Sequence, residues 1–153
     1  MMQKFEPTRF DLQLFADGSE DTSTEFLANN KLMTVAYRGL IAKAVGSTGT
    51  IDRITKMAFG DKGETDEQGN PAPPSNTGDL NNVVATADIE KIEFPSDNLV
   101  SFTTTLAAGT VATGINEVAL VTEGGVTAAK MRLLTSKGVD VETSLIFTWS
   151  IEF

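Results

Sequence analysis

Along residues 139–153, Val139, Val141, Leu145, Phe147, Trp149, Ile151 and Phe153 alternate with Asp140, Glu142, Ser144, Thr148, Ser150 and Glu152. Only Thr143 and Ile146 break the period of two. Successive side chains of a strand point to opposite faces, so the pattern predicts a β-strand with one buried face and one wet or shared face. At about 3.3 Å per residue it would run roughly 50 Å, longer than most strands, which predicts a bend or bulge near Thr143. Because Trp149, Ile151 and Phe153 lie at the chain's end, that end is expected to be tied into a sheet core or an interface.

The same period recurs upstream. Ile54, Met57 and Phe59 predict a strand over 51–59, and Ile89, Ile92 and Phe94 predict another. A further strand, with Val100, Phe102 and Leu106 on one face and Ser101, Thr103 and Thr105 on the other, follows a turn at Pro95-Ser96-Asp97-Asn98. Strands are also predicted over 117–122 and 129–134, bounded by turns at Gly124-Gly125 and Ser136-Lys137-Gly138. Residues 60–78 hold three prolines and four glycines, the composition of a long exposed loop.

Two segments read differently. Phe26, Met33, Tyr37, Leu40, Ile41 and Ala44 recur at mostly helical steps and Gly46 supplies a stop, so a helix is predicted over 24–45, covering a sheet face or packing on a partner. Residues 1–23 place Phe5, Phe10, Leu12, Leu14 and Phe15 among polar residues ahead of an acidic run, and Phe10, Leu12 and Leu14 alternate. That suits an extended arm that adds to a sheet or lies along a neighbour. The expected fold is α+β and mainly β: an antiparallel β-sandwich or curled sheet of five to seven strands, one N-terminal helix and an extended N-terminal arm. Its expected organisation is an arm over 1–23 and a single domain over 24–153.

Composition narrows the chemistry. No histidine and no cysteine occur among the 153 residues, which removes the commonest general acid/base, thiol nucleophiles and disulfides. A formal charge of −9 with only 12 basic residues argues against a phosphate-binding surface and favours solubility or a basic partner. No apolar run reaches membrane-spanning length and no leader pattern opens the chain, so neither a membrane nor a secretory role is expected. The acids Asp61, Glu64, Asp66 and Glu67 do not match calcium-loop spacing. Glu90 with Glu93, or Glu117 with Glu123, are the carboxylate pairs a hydrolase would need, but ordinary charged strand exteriors explain them as well. Trp149 and Phe147, which could stack on a sugar, fall on the apolar side of the alternation, where core or interface use is expected. No enzyme, cofactor or metal site is read from these residues.

Two stretches resemble bacteriophage structural proteins. Phe10-Asp11-Leu12-Gln13-Leu14-Phe15-Ala16-Asp17-Gly18 resembles the Leu-Gln-Leu-Phe-Ala opening of head-region proteins of tailed phages. The body from Leu40 onward is similar in layout to the N-terminal domain of phage tail-collar fibre proteins. That likeness is carried by Ile54-Thr55-Lys56-Met57-Ala58-Phe59-Gly60-Asp61, Leu80-Asn81-Asn82 and Ile115-Asn116-Glu117-Val118-Ala119-Leu120. No repetitive shaft follows, a departure from the fibre pattern that implies a stand-alone subunit.

What these resemblances imply is a virion structural protein, assembled in the host cytoplasm and present in many copies on a lattice or as a homo-oligomer. The leading expectation is a capsid decoration or cement protein on the major capsid protein; the alternative is a tail-collar or tail-fibre attachment subunit on neck or tail proteins. A carbohydrate- or small-ligand-binding module is a more remote alternative. Phe10, Leu12, Leu14, Phe15, Trp149, Ile151 and Phe153 are the expected protein-interaction residues.

Overall fold

The computed structural model describes residues 9–16, 19–21, 31–46, 49–110 and 112–153, with side chains over 32–46, 49–110 and 113–153. Two five-stranded antiparallel sheets face each other. In chain order the elements are β1 (Arg9–Ala16), β2 (Ser19–Asp21), β3 (Lys31–Met33), α1 (Val35–Val45), β4 (Ile54–Gly60), β5 (Val83–Asp88), β6 (Lys91–Ser96), β7 (Leu99–Leu106), β8 (Ala112–Thr122), β9 (Thr127–Val139) and β10 (Leu145–Glu152). Sheet A runs β2-β1-β10-β7-β6 and sheet B runs β3-β9-β8-β4-β5. The fold is thus mainly β with one short helix, as the alternating pattern predicts.

Strands β4, β7, β8, β9 and β10 carry their apolar alternate positions inward. Met57 and Phe59 from β4, Val118 and Leu120 from β8, and Met131 and Leu133 from β9 meet Phe102 and Leu106 from β7 and Leu145, Phe147, Trp149 and Ile151 from β10 in one buried cluster. Fully burying a side chain of this size stabilises by about 1.5–3 kcal/mol, so this shared layer is the main force joining the sheets. The crossing from β5 to β6 is a tight corner between the sheets: Ile89 N–H donates to Thr55 O of sheet B at 2.8 Å, and the next amide, Glu90 N–H, donates to Thr103 O of sheet A at 2.8 Å.

Several boundaries differ from those expected. The helix begins at Val35, because Thr34 caps it by accepting the Tyr37 N–H at 3.2 Å and Lys31–Met33 are instead held as a strand against Met131, Lys130 and Ala129 of β9. Residues 24–30 of the expected helix lie outside the described residues. No turn interrupts β9 at Ser136-Lys137-Gly138; the strand continues to Val139 and the chain reverses over 140–144. There Asp140 Oδ1 accepts the N–H groups of Glu142 and Thr143 at 2.9 and 2.7 Å, which separates the expected terminal strand into the end of β9 and β10. Strand β5, bearing Val83-Val84-Ala85-Thr86-Ala87-Asp88, was not expected.

Candidate interaction surfaces

The arm residues enter the fold as the strand next to the sheet edge. β1 pairs with β10 along its whole length, from Arg9 opposite Glu152 to Ala16 opposite Leu145, and the short β2 completes a hairpin outside it. In this register Phe10 stands opposite Ile151, Leu12 opposite Trp149, Leu14 opposite Phe147 and Phe15 opposite Ile146. The side chains of Phe10, Leu12, Leu14 and Phe15 lie outside the described part of the structure. The other expected interaction residues separate. Trp149 and Ile151 are wholly buried in the inter-sheet core, a correction to their expected place at an interaction surface, because the alternation turns both toward sheet B. Trp149 therefore offers no ring face to a sugar. Phe153 stays 43 % exposed just beyond β10, where its N–H donates to Asn98 O at 2.8 Å.

The outer face of sheet A is lined with hydroxyls. Ser101 and Ser150 meet at 2.6 Å and Thr103 and Thr148 at 3.1 Å, register partners on β7 and β10. Thr105 Oγ1 donates to Glu90 at 3.0 Å, and Lys91 pairs with Glu93 at 2.9 Å. All six residues of β6 are exposed, with Ile92 at 48 % and Phe94 at 76 %. Pro95 and a register shift between Glu93 and Ser96 blunt this edge, since proline supplies no N–H and a bulge disrupts a template for further strands.

Sheet B is covered on its outer face by a strap, residues 61–82, which connects β4 to β5. The composition that predicted an exposed loop is present, but its two ends are pressed onto the sheet: Gly63 and Leu80 are buried, and Leu80 packs on Ala58 and Ala119. Beneath lie Glu117, Lys130 and Arg132, each only 5–6 % exposed. Lys130 Nζ donates to Thr77 O at 3.0 Å and Asp79 O at 3.4 Å. Arg132 donates through Nε to Glu64 O at 2.9 Å, and through Nη1 to Asn116 O and Leu133 O at 2.9 and 2.8 Å. Glu117 Oε1 accepts the Asn82 N–H at 3.2 Å.

Burial depresses the Lys130 ammonium below its usual range, opposed by the carboxylates of Glu117, Glu64 and Asp79. It depresses the Arg132 guanidinium too, opposed by Glu117. This cluster was missed from sequence. The signal available was the spacing Lys130-Met131-Arg132, which puts two cations on the face away from the core, but nothing local says that this face is covered.

Asp61, Glu64 and Asp66 accept hydrogen bonds from within the strap itself. Asp66 Oδ1 accepts the N–H groups of Gln68 and Asn70 at 2.9 and 2.8 Å, Asp61 accepts from Asn82 Nδ2 at 2.6 Å, and Glu64 accepts from Asn81 Nδ2 at 3.1 Å. The nominated carboxylate pairs are likewise used apart. Glu90 and Glu93 are engaged by Thr105 and Lys91. Glu117 is buried under the strap, while Glu123 is exposed beyond the end of β8, roughly 20 Å along the strand direction.

The two body motifs are register neighbours: Met57 opposes Leu120, Ala58 opposes Ala119, Phe59 opposes Val118 and Gly60 opposes Glu117. Their glycine has a packing reason, because a Cβ at Gly60 would meet the Glu117 carboxylate and, at 2.6 Å, Asn82 O. Comparison of the chain with protein-family models, curated proteins and solved structures finds no match.

Proposed function

We propose that this chain is a non-enzymatic structural protein of a tailed-phage virion, a decoration or cement protein bound to the major capsid protein in many copies. The observation that carries the reading is where the head-type opening falls. Phe10 to Ala16, the core of that resemblance, forms the edge hairpin of sheet A with β2, so the segment that would dock is joined to the sandwich by a single full-length ladder to β10. Backbone ladders of this kind are how extended segments add to a neighbouring sheet. The half-buried hydroxyls of Thr103 and Thr148 on the outer face of sheet A, and the exposed Phe94 at the opposite edge of the sheet, supply polar and apolar contact area.

A second reading, a tail-collar or tail-fibre attachment subunit, is favoured by the motif pair Met57–Gly60 and Glu117–Leu120, which form one paired unit in sheet B. Both readings are tested by mixing the purified protein with undecorated heads and with separated tails of its phage, sedimenting each, and counting bound copies. Many copies on heads support decoration, a few on tails support the collar reading, and binding to neither overturns the virion assignment.

A further inference from the structure

The strap has an unusual hold on sheet B. Besides Leu80 over Ala58, Ala119 and the part-buried Val121, a small cluster distinct from the inter-sheet core, hydrogen bonds hold the strap to the sheet. They are the donations of Lys130 and Arg132 to carbonyls of Thr77, Asp79 and Glu64, of Gly63 N–H to Asn116 Oδ1 at 2.8 Å, of Thr127 Oγ1 to Asp79 Oδ1 at 2.6 Å, and of Asn82 N–H to Glu117. At its far reach Asn76 O accepts the Val35 N–H at 3.0 Å, touching the start of α1.

Closing this cover takes three charged groups out of water, and hydrogen bonds to strap carbonyls only offset that cost. Opening returns Glu117, Lys130 and Arg132 to solvent and exposes little apolar surface. It also leaves every ladder intact, since the strap's neck is a strand pair: Gly60 is the register partner of Val83, and Asp61 N–H donates to Asn82 O at 3.3 Å. Between the two buried points, the hairpin in which Ala72 N–H donates to Glu64 O and Asp66 N–H to Asn70 O carries its own hydrogen bonds and moves with them unbroken.

We propose that residues 61–82 open as one unit while the sandwich stays folded, making the strap a gate over a sheet B face that presents Lys130 and Arg132 beside the Ala58–Ala119 floor. The gate's local unit is separate from the global one in the sense that native proteins open in contiguous pieces of unequal stability.

The test is native-state hydrogen exchange on the full chain at increasing sub-denaturing urea, comparing the Gly63 and Asn82 amides with the Val118 and Met131 amides of the β8–β9 pairing. The expected result is exchange at Gly63 and Asn82 at least about tenfold faster and nearly independent of urea, because a local opening exposes little surface. Gly63→Ala, whose Cβ would lie 2.5 Å from Arg132 Cδ, should speed the strap amides further and leave Val118 and Met131 within about twofold of the parent. Equal rates with the same urea dependence in the parent protein would overturn the proposal, whether or not the variant folds.

Discussion

Phe59 of β4 and Phe147 of β10 meet across the sandwich with ring centroids 4.6 Å apart and planes inclined at 47°. Both are fully buried, and the pair ties the strand carrying one resemblance motif to the strand that receives the arm. Truncating either ring removes apolar burial and leaves a void between two hydrogen-bonded sheets that cannot easily close. Phe147→Ala should cost about 3–5 kcal/mol in urea denaturation. A loss below about 1 kcal/mol would mean the sheets repack freely.

Among the described residues, Glu117 is the one carboxylate buried with Lys130 and Arg132 on the covered face, and it also receives the Asn82 N–H. Glu117→Gln keeps the shape and an acceptor but removes the negative charge that favours both buried cations. The expected loss is about 1.5–3 kcal/mol, the range for hydrogen bonds and contacts involving charged groups. Restored stability in Glu117→Gln/Lys130→Met, measured as a double-mutant cycle, would identify Lys130 as the cation left uncompensated.

Thr34 ends β3 and starts α1 at once. Its hydroxyl donates to Thr127 O at 2.5 Å and accepts the Tyr37 N–H, while its own N–H donates to Ala128 O at 2.9 Å. Thr34→Val, matched in shape, should destabilise by about 1–2 kcal/mol through the lost cap, whereas Thr34→Ser should be nearly neutral. Thermal melts of the two variants decide it: equal melting temperatures would remove the cap from the account.

Asp140 is held below the usual carboxylate value by the backbone N–H groups of Glu142 and Thr143. A depressed folded-state value means that the unfolded chain takes up the proton first, so the stabilisation is present above the ordinary aspartate value and is lost as pH falls through the depressed one. Asp140→Asn should therefore melt below the parent at pH 7, and the gap should narrow through the acid range. A gap that widens on acidification would contradict the linkage.

Among the described residues, Phe94 is the most exposed aromatic ring of sheet A, and it belongs to neither core cluster. Phe94→Ser should change stability by less than about 0.5 kcal/mol. If β6 contributes to docking on a virion surface, the same variant should lower the number of copies sedimenting with heads. Unchanged occupancy would leave the β1–β2 hairpin as the docking element.

Much of this fold is written in local patterning. Alternation over Leu145–Glu152 and Leu99–Leu106, broken at few positions, determined two strands, their inward faces and their hydroxyl-bearing outward faces, because side-chain direction in a strand follows from sequence position alone. The turn at Gly124-Gly125 was equally legible, since Gly125 sits at φ 84°, a conformation that suits glycine, whereas of the turn expected over Pro95–Asn98 only Asp97-Asn98 reverse the chain and Pro95 and Ser96 extend β6.

What tertiary structure decided was partnership. Met33 fits a helical spacing with Tyr37, yet it lies in a strand because β9 offers Ala129 as a ladder partner and Thr34 is placed to cap the helix after it. Val83–Asp88 became a strand because β4 presents a free edge to it. A chain rich in proline and glycine became a cover because Lys130 and Arg132, far away in sequence, take its carbonyls. Long-range pairing and burial are set by which surfaces meet, and no window of neighbouring residues contains that information.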